Sequence, residues 1–128
     1  FSTDVANTTI GTSKTIKDTY KANVFTVGIL QNANPDDTTS NINKYMNYVS
    51  SNYPNASNLT NGGAGSNQGY YMNAKNASQL NSIFKKISSS IETPSTSVNL
   101  NGEYIQHHSL VKLAINIIGV KNNHLMLL

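Results

Sequence analysis

The sequence contains no cysteine and no arginine among its 128 residues. The absence of cysteine excludes a disulfide framework, a cysteine-ligated zinc or iron–sulfur site and a cysteine nucleophile. The absence of arginine removes the bidentate clamps that proteins use to hold phosphates, carboxylates and guanine bases. All nine cations are lysines, and the net charge of +3 reflects scarce acids, of which there are six. We therefore expect no nucleic-acid partner.

Short polar residues dominate what is present, because 20 Asn, 15 Ser and 12 Thr make up 47 of the 128 residues. The apolar share of 38% is nevertheless enough for a hydrophobic core, since it is periodic along the chain. No apolar run reaches the roughly 20 residues that a membrane-spanning helix needs. The length is that of one domain, and the composition indicates coding by AT-rich DNA, which the codons would test.

The first third of the chain predicts a helix followed by a buried strand. Residues 4–20 predict a helix, because apolar side chains recur there every three or four positions. Good N-cap residues stand at its start, namely Ser2, Thr3 and Asp4. Residues 24–30 form a near-continuous apolar run, which is typical of an inner parallel strand covered on both faces. Gly28 within this run predicts close packing against the backbone.

A second helix and strand are predicted beyond a polar loop. The loop, residues 31–37, leads into a helix at 39–52 with one clean apolar stripe, and Pro54 lies just past its end. Residues 54–68 are a long loop rich in Asn, Ser and Gly, of the kind that often lies at a functional rim. Residues 69–74 predict a short strand at the edge of the sheet.

The third helix is predicted at residues 77–91. Its apolar stripe is the best in the chain, and Asn76 with Gln79 resembles a capping box at its start. Residues 93–102 predict a linker with a short strand and turn near its end. Residues 103–128 contain 14 apolar residues out of 26, and their pattern predicts a helix that is apolar all round and lacks a partner in this chain.

This alternation of helices and strands predicts an α/β protein with a parallel sheet and helices on both faces. Two strands make a poor sheet, so the free edge of the first strand needs another strand. The sequence therefore predicts the C-terminal half of a doubly wound domain over residues 1–92. Residues 93–102 would be a linker, and residues 103–128 an apolar tail of doubtful origin, such as a frame-shifted end.

The amino-acid sequences of several segments resemble those of von Willebrand factor A-type (VWA) domains, in particular the VWA domains of Gram-positive surface and pilus-tip proteins. The similar segments are Ala22-Asn23-Val24-Phe25-Thr26-Val27-Gly28-Ile29, Asn32-Ala33-Asn34-Pro35-Asp36-Asp37, Asn41-Ile42-Asn43-Lys44-Tyr45-Met46, Gly69-Tyr70-Tyr71 and the helix from Asn76 to Ile91. They match the fifth helix and strand of that fold and its remaining C-terminal elements, over about residues 1–102. The tail from Tyr104 to Leu128 has no counterpart in the family.

The resemblance implies a Rossmann-like fold and an adhesion protein on a bacterial cell surface or cell wall, binding a host or matrix protein. The family site holds Mg²⁺ through an Asp-x-Ser-x-Ser run, a Thr and a later Asp, all of which would lie upstream of Phe1. None of these motifs occurs in this chain. The resemblance therefore implies no metal ligand and no cofactor in it, and we expect no tight Mg²⁺ binding.

The acidic and histidine residues are candidate sites with competing explanations. Asp36 and Asp37 follow the first strand, at the edge where open α/β folds bind ligands. They could make a rim contact or hold a second cation, but helix capping and pairing with the helix dipole explain them better. Asp4 is the acid nearest the implied metal loop and is explained as an N-cap. His107, His108 and His124 lie in the tail without metal-ligand spacing.

The remaining candidates also have ordinary explanations. The lysines on helices predict solvated faces, and the tyrosines predict a core edge with hydroxyls reaching water. Four glycosylation sequons are expected from composition alone, and the glycine-rich loop lacks the Gly-Lys-Ser/Thr end of a phosphate loop. The residues concerned are Lys14, Lys17, Lys85 and Lys86; Tyr45, Tyr48, Tyr53, Tyr70 and Tyr71; Asn7, Asn55, Asn58 and Asn76; and Gly62, Gly63 and Gly65.

No Ser–His–acid or paired-carboxylate arrangement is present in the first 102 residues, so we predict no enzyme and assign no catalytic residue. The sequence does not assign the residues that bind a partner. Two alternatives remain beside the adhesion module. One is a truncated doubly wound domain that binds a small molecule or acts as an enzyme, and the other is a non-functional gene remnant.

Overall fold

The computed structural model describes residues 1–91 and, beyond them, the backbone of four strands, at residues 95–98, 104–107, 113–121 and 124–127. The predicted order of helix, strand, helix, strand, helix is confirmed over residues 1–91. The elements are α1 (Thr3–Tyr20), β1 (Asn23–Ile29), α2 (Asn41–Val49), β2 (Tyr71–Asn73), α3 (Ala77–Ser90), β3 (Ser95–Val98), β4 (Tyr104–His107), β5 (Leu113–Lys121) and β6 (His124–Leu127).

Helix α1 begins at Thr3 and is capped by Ser2, so the prediction of Asp4 as the N-cap is wrong. The Ser2 side chain accepts a hydrogen bond from the Val5 N–H at 3.4 Å, whereas Asp4 lies in the first turn, where its charge suits the positive end of the helix dipole. Lys21 ends the helix in the left-handed conformation, with φ of 52°. The buried face of α1 consists of Ala6, Ile10, Ser13 and Lys17.

Strands β1 and β2 form the predicted parallel pair, with Thr26 opposite Tyr71 and Gly28 opposite Asn73. The five central residues of β1 are all buried, as an inner strand requires. Helices α1 and α2 cover one face of this pair, where Ile10, Met46 and Val49 join the core. Helix α3 covers the other face. Its Ile83 and Ile87 pack with Phe25, Val27 and Met72.

The second edge of β1 is paired with β5, and the prediction of a helix in the tail is wrong. Strand β5 runs parallel to β1 over seven residue pairs, from Asn23 opposite Leu113 to Ile29 opposite Gly119. Strand β6 pairs antiparallel with β5, which gives the sheet order β2-β1-β5-β6. A run that is apolar at successive positions and rich in β-branched residues suits an inner strand as well as a buried helix.

Strands β3 and β4 form a separate antiparallel pair, with Ser95 opposite His107. Strand β3 lies inside the segment predicted as a linker, and it ends at Val98, where a strand was expected to begin. The predicted turn at residues 99–102 lies outside the described residues.

Candidate functional site

The carboxyl ends of β1 and β2 meet at one edge of the sheet, where the chain forms a loop rich in polar residues. We call residues 30–40 the rim loop. A cavity of about 390 Å³ opens beside it, lined by Ile29, Leu30, Gln31, Ala74 and Lys75. This edge is the usual place for ligands in open α/β proteins, so it is the candidate site.

The rim loop turns back onto β1 directly above Gly28. A Cβ atom at Gly28 would lie 2.7 Å from the Ala33 Cβ and 3.1 Å from the Tyr71 hydroxyl. The predicted close packing at Gly28 is therefore confirmed. Only glycine leaves room for Ala33 to rest on the strand.

Replacing Gly28 by Ala should destabilise the protein by about 1–3 kcal/mol, since the added methyl overpacks a closed contact. Urea unfolding followed by circular dichroism would measure this change. Gly11→Ala is the matched control because the nearest atom to its new Cβ would be 3.8 Å away and alanine favours the helix. Equal stability of the Gly28→Ala variant and the natural chain would contradict the packing described.

Asp37 organises the end of the rim loop that leads into α2. Its Oδ1 accepts hydrogen bonds from the Thr39 N–H at 2.8 Å, the Thr39 hydroxyl at 2.7 Å and the Ser40 N–H at 3.3 Å. Its Oδ2 accepts from the Ser40 hydroxyl at 2.7 Å and from Asn43 Nδ2 at 3.0 Å. These hydrogen bonds, led by that from the Thr39 side chain, hold the pKa of Asp37 well below its usual range. Asp37 thus fixes the start of a helix.

Asn43 is buried, and every polar atom of its side chain is used. Its Oδ1 accepts from the Asn34 N–H at 2.9 Å and from the Tyr71 hydroxyl at 2.7 Å. Its Nδ2 donates at 3.0 Å to the Asn32 carbonyl oxygen, and also to Asp37 Oδ2 and to Ser40 Oγ. One carboxamide therefore joins the rim loop, the start of α2 and strand β2.

Two further buried carboxamides continue this arrangement. Asn47 Nδ2 donates to the Pro35 carbonyl oxygen at 2.9 Å, and Asn47 Oδ1 accepts from Asn52 Nδ2 at 2.9 Å. Asn52 Oδ1 accepts in turn from the N–H groups of Gln68 at 3.0 Å and Tyr70 at 3.1 Å. The segment that enters β2 is thereby tied to the rim loop.

Asparagines from β2 and from the long loop hold the rim loop at its outer side. Asn73 Nδ2 donates to the Ala33 carbonyl oxygen at 3.0 Å, and Asn67 Nδ2 donates to Asp36 Oδ1 at 2.6 Å. The sequence patterns did not predict this set of asparagines, because the apolar stripe of α2 is the stronger signal. The available signal was the four-residue spacing of Asn43 and Asn47, which places both amides on one face of the helix.

Lys17 is buried, with 6% of its surface exposed, so the prediction that it lies on a solvated helix face is wrong. Its Nζ donates to the carbonyl oxygens of Tyr48 at 3.0 Å, Ser50 at 3.1 Å and Tyr53 at 2.9 Å. These are carbonyls at and beyond the C-terminal end of α2, where a cation is favourable. Burial lowers the pKa of Lys17 to about 8.

The tyrosines belong to the core more than was predicted. Tyr45 and Tyr71 are fully buried, and the Tyr71 hydroxyl binds Asn43 instead of reaching water. Burial raises the pKa of Tyr71 to about 12, with a smaller contribution from the charge of Asp37. Tyr48 and Tyr53 are partly buried and pack together with ring centroids 4.9 Å apart.

The glycine-rich part of the long loop packs closely against the rings of Tyr48 and Tyr53. A Cβ at Gly62 would lie 2.4 Å from the Tyr48 ring, and one at Gly65 would lie 2.2 Å from the Tyr53 ring. The glycines therefore let the loop pass close over the aromatic side chains. This is a packing role.

The remaining candidates are used in local structure or lie beyond the described side chains. Asn76 caps α3 by accepting from the Gln79 N–H at 2.9 Å, as predicted. Asn7 Oδ1 accepts from the Leu59 N–H, and Asn58 Oδ1 closes a turn with Thr60 and Asn61. The side chains of His107, His108 and His124 lie outside the described part of the structure.

The described residues offer neither a clustered metal site nor a membrane-spanning helix. They contain no group of three or more His, Cys, Asp or Glu side chains that could hold a metal ion. Within the same part of the chain, no helix is both long enough and apolar enough to cross a membrane.

The fold defines the described part of the chain as a mixed α/β protein with a parallel strand pair. A scan against protein-family models gave no match, and neither the curated proteins nor the solved structures include a significant match.

Proposed function

We propose that the chain is part of a VWA-type module that binds a protein partner without covalent chemistry. In the complete protein this partner would be a host or matrix protein, met at a bacterial cell surface. The rim loop carries the proposal, because the side-chain amides of Asn43, Asn47 and Asn73, of which the first two are buried, hold its backbone at residues 32–35. A loop fixed before binding loses little conformational entropy on binding, which favours recognition of a partner.

The order of elements supports the same proposal. Helices α1 and α2 lie on one face of the strand pair and α3 on the other, with both strands ending at the rim. The acids at this edge do not fit the family's Mg²⁺ ligands, since Asp37 accepts five hydrogen bonds and Asp36 binds Asn67. Ligands for that ion would lie upstream of Phe1.

The chain should therefore give no micromolar binding isotherm with Mg²⁺ in titration calorimetry. A magnesium-binding α/β domain with an intact site, titrated in the same buffer, serves as the positive control. A micromolar isotherm for this chain would contradict the description of its rim.

The binding proposal is tested with purified chain passed over immobilised collagen, fibronectin and fibrinogen in surface plasmon resonance. We expect concentration-dependent binding to at least one of them, weakened at least tenfold by Lys75→Glu at the rim cavity. Lys85→Glu is the matched control, because Lys85 is exposed on α3, away from the rim. Absence of binding to all three, or equal loss in both variants, would overturn the proposal.

A second candidate is a site for a small molecule. The rim cavity favours it, since about 390 Å³ lies within the size range of ligand pockets. A nucleotide or a sugar that raises the melting temperature further with each tenfold increase in its concentration would support this candidate over protein binding.

A further inference from the structure

Strand β2 is joined to the rim loop through the interior of the protein, at a point that a partner on the surface does not touch. The Tyr71 hydroxyl donates to Asn43 Oδ1 at 2.7 Å, and the Asn34 N–H donates to the same oxygen at 2.9 Å. Tyr71 is 1% exposed and Asn43 is 2% exposed. Because both side chains are buried, water cannot readily replace a hydrogen bond lost between them.

A second connection runs in parallel and shares no residue with the first. It leads from the N–H groups of Gln68 and Tyr70 to Asn52, from Asn52 to Asn47, and from Asn47 to the Pro35 carbonyl. Asn47 and Asn52 are each 1% exposed. The start of β2 and the middle of the rim loop are thus tied at two separate points.

We propose that Tyr71 is a positioning residue, which holds the rim loop in place through its hydrogen bond to Asn43. As a result, the rim loop and β2 open and close as one unit. A partner that binds the rim loop would then also stabilise β2 and, three residues further along the chain, the start of α3. Only this last consequence rests on the proposed function. The coupling itself is a property of the chain alone.

The geometry gives the reason for a shared opening. Any shift of the rim loop that turns the Asn43 carboxamide must break its bonds to Tyr71 and Asn34 together, since both use one oxygen. The amide group has no spare atom, because Nδ2 already donates to Asn32, Asp37 and Ser40. The loop and the strand therefore lose or keep their bonds jointly.

The test is amide hydrogen exchange followed by NMR on the full chain without any partner. Tyr71→Phe keeps the ring and removes the hydroxyl, so we expect the Asn34 amide to exchange about tenfold faster. The Ile10 amide in α1 should keep its rate. Tyr70→Phe is the matched control, a neighbouring half-buried ring whose loss of a hydroxyl should leave Asn34 unchanged.

An unchanged Asn34 rate in Tyr71→Phe would overturn the proposal, and so would an equal acceleration of Asn34 and Ile10, which reports only a less stable protein. If Tyr71→Phe does not fold, the natural chain supplies the measurement. Its Asn34 and Tyr70 amides should show the same opening free energy and the same dependence on low urea concentrations. Opening of Asn34 alone, at lower urea, would overturn the coupling.

This outcome is separate from the binding experiment. A shared opening of the rim loop and β2, found in a chain that binds none of the matrix proteins, would remove the proposed function and leave the positioning role of Tyr71. Binding to a matrix protein, with the rim loop and β2 opening independently, would support the proposed function and remove the positioning role of Tyr71.

Discussion

Replacing Asn43 by Ala should destabilise the protein by about 3–5 kcal/mol, a large effect for a single polar substitution. The change leaves the buried Tyr71 hydroxyl without its acceptor, and it leaves the Asn34 N–H and the Asn32 carbonyl oxygen without their partners at partly buried positions. Each buried polar group that loses its partner costs about 1–3 kcal/mol. Small domains are stable by only about 5–15 kcal/mol, so the variant should lie close to unfolding at 37 °C.

Urea unfolding at 15 °C, monitored by circular dichroism, would measure the loss while the variant still folds. Asn41→Ala is the matched control, because Asn41 is exposed in the first turn of the same helix. We expect its stability to change by less than about 0.5 kcal/mol. Equal effects of the two substitutions would show that the Asn43 carboxamide does not hold the rim loop.

The stability of the natural chain should depend on pH through Lys17. The folded-state pKa of this lysine is lowered from 10.5 to about 8, so the folded protein releases the proton before the unfolded chain does. Between these two values the unfolded chain binds more protons, and the contribution of Lys17 to stability rises with pH. The penalty for the buried charge is present in full below pH 8 and has disappeared above pH 10.5.

The measurement is the difference in unfolding free energy between the natural chain and Lys17→Met, followed from pH 7 to pH 10. Methionine keeps an unbranched side chain without the terminal amine and does not titrate, so the contributions of the other groups cancel in the difference. This difference should move in favour of the natural chain by about 2 kcal/mol over that range. Lys85→Met, which removes an exposed lysine on α3, is the matched control, and a flat difference for Lys17→Met would contradict the lowered pKa.

Local patterns were enough to predict the elements of residues 1–91. The apolar run at 24–30 predicted an inner strand because burial on both faces leaves no polar positions, and Asn76 with Gln79 marked the start of α3. Helix boundaries were less accurate. The second helix was predicted at 39–52 and spans Asn41–Val49, since Asp37 and Ser40 organise its start and the Ser50 hydroxyl turns back to the Asn47 carbonyl oxygen at 2.8 Å.

Contacts between distant segments were not predictable from such patterns. Lys17 has the pattern of a solvated residue until the carbonyls of Tyr48, Ser50 and Tyr53 are placed around it, more than 30 positions along the chain. The pairing of β1 with β5 was not predictable for the same reason, since it joins distant segments. The apolar run that forms β5 has no local feature that distinguishes a buried strand from a buried helix. In the candidate site, the loop was predicted and the asparagines that hold it were missed.

The asparagine framework of the rim loop has a consequence for the conditions under which the loop keeps its shape. Carboxamides carry no charge, so acid and salt act on them far less than on an ion pair. Asp37, which fixes the end of the loop that leads into α2, has a pKa well below its usual range and stays ionised in mild acid. We therefore expect the rim loop to keep one conformation from mildly acidic to neutral pH and from low to high salt concentration.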